Sequence, residues 1–85
     1  MKKLSNTARQ ANLAASIAHL GEMKAATDFF VEHTSHHWAF TKNNTRDGYQ
    51  HLVQYYPSTL KYVNSFTGEG GETTVMAFVR YLEEL

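Results

Sequence analysis

Glu32, His33, His36 and His37 stand within the six residues E-H-T-S-H-H, directly before the only tryptophan, Trp38. Imidazole and carboxylate are the groups that hold transition metals and move protons near neutral pH. On a helix, His33 and His37 lie one turn apart on one face, as two ligands of one ion must, and Glu32 and His36 form a second pair turned by about 100°. One helix cannot aim both pairs at one ion. A metal centre on His33 and His37 therefore needs a further ligand, first of all His51, with His19 and Asp47 as the other candidates. The order Glu-His-x-x-His-His is not the H-E-x-x-H pattern, in which a glutamate between the two ligands serves as base. The competing reading puts both histidines at the edge of a core, because they continue the stripe of Met23, Ala26 and Phe30 at steps of three and four.

Other chemistry is weaker still. Gly68, Gly70 and Gly71 precede a predicted helix, where backbone N–H groups can hold phosphate, but the P-loop lysine is missing and Glu69 and Glu72 would repel an anion. A turn is the expected role. No serine stands in a G-x-S-x-G elbow, and there is no cysteine to act as nucleophile, disulfide partner or thiolate ligand. Neither enzymatic activity nor a cofactor is expected.

The segment from 38 to 66 holds Trp38, Phe40, Tyr49, Tyr55, Tyr56, Tyr62 and Phe66, more aromatic area than a short segment can bury. If Tyr49 and Tyr56 face inward, Tyr55 points elsewhere, and Tyr62 lies off the stripe of Leu60 and Val63. Trp38, Tyr55 and Tyr62, interleaved with Lys42, Arg46 and Lys61, have the composition of a protein-binding surface. The same mixture could stack on the bases of a single strand. Eight basic and eight acidic residues give zero net charge, however, a poor footprint for nucleic acid.

These side chains need elements to position them, and the spacing favours helices. Residues 5 to 20 are alanine-rich, with Ser5 or Asn6 as cap, Leu13, Ile17 and Leu20 inward, and Gly21 as stop. A second stripe of Ala8, Ala11, Ala15 and Ala18 invites close approach by another helix. A helix from Glu22 to about His37 carries the histidines. After the turn formers of 41 to 48, Tyr49, Leu52, Val53 and Tyr56 recur at i, i+3, i+4 and i+7 until Pro57 ends the run. Ser58 restarts a short helix, and Val75, Phe78, Val79, Leu82 and Leu85 mark a last one from 72 to 85. The resulting expectation is an all-α single domain over residues 1 to 85, with four or five short helices. The alternative is α+β, with a small sheet in residues 38 to 82 drawn from Trp38 to Phe40, Tyr62 to Phe66 and Val75 to Tyr81.

Eighty-five residues suffice for one thin-margined core. The segment after Lys2 and Lys3 is polar where a signal peptide would be apolar, so a cytoplasmic location is expected, without membrane association. Tyr55-Tyr56-Pro57-Ser58 resembles a short segment of the DNase-colicin immunity proteins, which are small helical inhibitors. The resemblance covers four residues without the surrounding acidic run of that family, and no residue roles follow from it. The reading that results is a small cytoplasmic protein that docks on a larger protein target, as phage and mobile-element inhibitors or adaptors do, with self-association as a further possibility. The alternatives are a metal- or small-ligand-binding module on the histidines and a weak single-strand binder.

Overall fold

The computed structural model describes residues 4–85, so Lys2 and Lys3, the basic start, lie outside the described residues. The chain is α+β. Helices α1 (Asn6–Ala18) and α2 (Leu20–Ala25) lead into five strands, β1 (Phe29–Thr34), β2 (His37–Asn43), β3 (Gln50–Tyr56), β4 (Lys61–Asn64) and β5 (Gly70–Glu72), and helix α3 (Val75–Glu84) follows. The strands pair antiparallel in chain order as one meander.

This overturns the all-α expectation. The segment from 29 to 56 alternates as well as it cycles: His51, Val53 and Tyr55 point one way, Leu52, Gln54 and Tyr56 the other, and the first set is buried. The α+β alternative had the right class but the wrong extent. The sheet begins at Phe29, and Val75 to Tyr81, taken there as a strand, belongs to α3. Of the expected helices, the first and last exist. Ser5 caps α1 by accepting from Ala8 N–H at 3.1 Å, and Thr74 caps α3 by accepting from Ala77 N–H at 3.2 Å. Gly21 does not stop the first helix but lies inside α2, beyond a break at His19.

All three helices cover one face of the sheet. Met23 from α2 and Phe78, Val79 and Leu82 from α3 close on Trp38, Phe40, Val53 and Tyr55, with Leu13 of α1 at the margin. Tyr55 stacks on Phe78 with ring centroids 4.1 Å apart. The docking stripe of α1 is more polar than its spacing suggested: Ile17, expected inward, is 57% exposed, while Ser16 is buried against Tyr55 Oη at 2.8 Å. Asn12 donates to the Ser58 carbonyl at 2.9 Å, which ties α1 to the turn after β3. Ala11, Ala15 and Ala18 of the alanine stripe stay exposed, without a helix against them.

Two of the connections are built alike. In Asn44-Thr-Arg-Asp-Gly48 and Asn64-Ser-Phe-Thr-Gly68 the asparagine Oδ1 accepts from the N–H groups two and three residues on, and the glycine N–H returns to the asparagine carbonyl. Both glycines adopt positive φ, 76° and 79°. In each loop the residue before the glycine also accepts from the N–H that follows it, Asp47 from Tyr49 and Thr67 from Glu69. Side-chain capping of this kind satisfies the loop backbone locally and sets the register of the strands it joins.

Candidate functional site

The other sheet face is uncovered. Cross-strand partners share a face, so its rungs follow from the register: Phe29, Thr41 and Leu52; then Val31, Ala39, Gln54, Val63 and Gly70; then Tyr56, Lys61 and Glu72, with His37 stacked on Tyr56 at 4.7 Å. Phe29 is 63% exposed, Val31 51% and Leu52 40%. A sheet face in water normally carries polar side chains, so this run of large apolar ones is the anomaly of the surface.

The histidine cluster is part of this face, and it is not helical. Ser35 and His36 form the two-residue turn between β1 and β2, with His36 N–H donating to Thr34 Oγ1 at 3.1 Å. His33 and His37 do meet, their rings 4.8 Å apart, but across a hairpin. The His37 ring donates to Gln54 Oε1 at 2.6 Å, the amide being oriented by its own bond to Ser65. His51 does not join them. It points through the sheet to the helical side, so the proposed set of His33, His37 and His51 cannot share an ion, and no group of three metal-ligating side chains occurs among the described residues.

His51 belongs instead to a polar chain beside α3. Asn64 Nδ2 donates to His51 Nδ1 at 3.0 Å and to Tyr81 Oη at 3.0 Å, while the Asn64 Oδ1 is held by Phe66 and Thr67 N–H. With Nδ1 accepting, Nε2 carries the proton and donates to Asp47 Oδ2 at 2.6 Å. Both ring nitrogens are committed. The dyad thus lacks the free nitrogen that a general base needs, and its role is to fasten the two asparagine loops to each other. The backbone N–H of Tyr49, and then the His51 hydrogen bond and nearby charges, hold the Asp47 carboxyl below its ordinary value against an opposing desolvation.

The expected contact residues divide. Trp38 and Tyr55 are 2% and 0% exposed, core residues with no surface to offer. Burial pushes the Tyr55 hydroxyl up from its ordinary pKa, with the Ser16 hydrogen bond opposing. Lys42 donates to the carbonyls of Leu82 and Glu83, at 2.6 and 3.2 Å, and Arg46 to that of Glu84 at 2.5 Å. Both cap the negative end of α3. Lys61 is exposed on the open face, and Tyr62 is half-buried beside the cleft that Lys61 lines. Sequence reasoning missed Phe29, Val31 and Leu52. The signal that could have found them is the period-2 alternation that placed their neighbours in the core.

Fold and site together define a two-layer α+β domain with one sheet face left open. Comparison with protein families, with curated proteins and with solved structures gave no match in any of the three. No helix among the described residues is long and apolar enough to cross a membrane.

Proposed function

We propose that the protein is a small cytoplasmic binding protein that docks its open sheet face on a larger protein, in the manner of an inhibitor or adaptor of phage or mobile-element type. The observation that carries the reading is the exposure of Phe29, Val31 and Leu52 on adjoining rungs of one face. The three are about half exposed, so covering them supplies about half of the usual 1.5 to 3 kcal/mol per fully buried side chain, a few kcal/mol in all. The charge pattern favours a protein over a nucleic acid: Lys61 is the only lysine or arginine on the rungs of this face and is paired in register with Glu72, whereas phosphate backbones are held by many cations. Size favours a larger partner over a second copy. Strands about 4.8 Å apart and three to seven residues long, at about 3.4 Å per residue, give a face on the order of 450 Å², short of the roughly 800 Å² per side of a stable interface. A partner must therefore reach past the rungs, and the edge strand β1, exposed at five of its six residues, lies beside them.

Affinity purification from the host followed by reconstitution with the captured protein tests this. The methyl resonances of Val31, Leu52 and Val63 should shift in the complex, and replacing Val31 and Leu52 by aspartate should weaken it at least tenfold while leaving the circular dichroism unchanged. Shifts confined to α1 and α3 would overturn the reading. So would tight, steeply salt-dependent binding to a single-stranded oligonucleotide.

A further inference from the structure

At the end of the sheet away from Phe29 and Leu52, α1 and two turns border a second site, open to solvent. Arg9 lies on the docking stripe of α1 one turn before Asn12 and Leu13, and it lines a cavity of about 270 Å³ with His36, Tyr56, Ser58 and Thr59. The wall is held firmly. The Ser58 carbonyl is bonded to Asn12, the Pro57 carbonyl accepts from Ser16 at 3.4 Å, and the Ser58 hydroxyl contacts His36 Nδ1. Arg9 Nε and Trp38 Nε1 are the buried side-chain nitrogens that lack a hydrogen-bond partner among the described residues. Trp38 lies among core rings, but Arg9 borders the cavity, and the ion pairs among the described residues, His19 with Glu22 and His51 with Asp47, leave Arg9 unpaired. Its Nε–H is closed off from the cavity, so what the guanidinium can present to an anion there is its terminal N–H groups and its charge.

Tyr56 and Thr59 also line a second, apolar cleft of about 460 Å³, whose other walls are Lys61, Tyr62, Val63, Gly71 and Glu72. We propose that the two together bind a phosphate monoester with a flat body, such as a nucleoside monophosphate, its phosphate on Arg9, His36, Ser58 and Thr59 and its ring against Tyr56 and Val63. The terminal N–H groups of the guanidinium, the Thr59 hydroxyl and the one proton that the His36–Ser58 hydrogen bond leaves free match the three terminal oxygens of a phosphate. Glu72 at the far end sets the direction. It repels the phosphate toward Arg9 and accepts from an amino or hydroxyl group on the ring. The two lie side by side on the shared walls of Tyr56 and Thr59, each near the lower end of the volume range of small-molecule sites.

Titration of the full chain with adenosine monophosphate, adenosine and inorganic phosphate, followed by amide resonances and calorimetry, decides the matter. Adenosine monophosphate should shift the amides of Arg9, His36 and residues 58 to 61 and bind at least tenfold more tightly than either other probe. Arg9→Ala should lower its affinity tenfold or more. Arg9→Lys, which keeps the charge without the fork, should lie between, and Thr59→Val gives an independent loss should Arg9→Ala perturb the fold. Equal binding of adenosine and its monophosphate would remove the phosphate site, and equal binding of inorganic phosphate would remove the role of the cleft. No shift at millimolar ligand would overturn both.

Discussion

At the scale of single residues, the polar groups that look reactive in the sequence are mostly spent on holding backbone. Asp47 shows it most clearly, since one carboxylate oxygen accepts from Tyr49 N–H at 2.8 Å and the other from His51 at 2.6 Å. An asparagine there could keep the first bond, but its amide would face the His51 Nε2–H as donor against donor. Moving the imidazole proton to Nδ1 would only transfer the conflict to Asn64. Asp47→Asn is therefore expected to lower the melting temperature at pH 7. The pH dependence follows from the direction of the shift: a carboxyl held below its ordinary 3.8 stabilises the fold above that value, and the contribution is lost as pH falls through the lower folded value. Thermal melts followed by circular dichroism from pH 7 to 2.5 should show wild type and variant diverging at neutral pH and converging below 3.8. A gap that stays constant across the series would show that the carboxylate charge has no part in it.

At the scale of elements, the two Asn-x-x-x-Gly loops are the devices that make this chain a meander, and glycine backbone conformation is what they require. A Cβ added at Gly48 or Gly68 meets nothing within 4 Å, so Gly48→Ala and Gly68→Ala test φ alone. Each should cost about 1–2 kcal/mol, the penalty of left-handed backbone with a side chain, and lower the melting temperature by roughly 4–8 °C per kcal/mol. Gly21 serves as the internal contrast: it lies in α2 with equally open space and no positive φ, so Gly21→Ala should stabilise by about 0.5–1 kcal/mol. Equal effects at the three positions would contradict the loop argument. These loops also explain what could be read from the sequence. Residues 5 to 20 and 72 to 85 announce α1 and α3 because caps and apolar spacing are local. The strands do not, because Tyr49, Leu52, Val53 and Tyr56 fit a helical period while the His51, Val53 and Tyr55 alternation fits a strand, and pairing with distant strands decided between them. The Ser35-His36 turn carries neither glycine nor asparagine, which left the histidine cluster looking continuous and helical. Asn44 to Gly48 and Asn64 to Gly68, compared with each other, held the missing signal.

At the scale of the whole molecule, the layers are unequal: three helices close one sheet face and leave the other in water. The result is a surface that resists self-pairing without being covered. Two copies meeting face to face would bury about 900 Å² in all, below the roughly 1,200 Å² at which specific complexes begin. Edge pairing through β1 is opposed by its irregular register between Glu32 and Thr34, a bulge of the kind that twists an edge away from another strand. Both routes to a homodimer are thus weak, while a larger partner can cover the open face and the surface beyond its rungs. Sedimentation velocity at micromolar concentration should accordingly give a monomer of 9.7 kDa, with association appearing only toward the millimolar range. That weak association should vanish in the Val31→Asp, Leu52→Asp double variant if it uses the open face. A stable dimer at micromolar concentration that survives the double variant would move the association to α1, where Ala11, Ala15, Ala18 and Ile17 lie exposed, and would count against the sheet face as the principal docking surface.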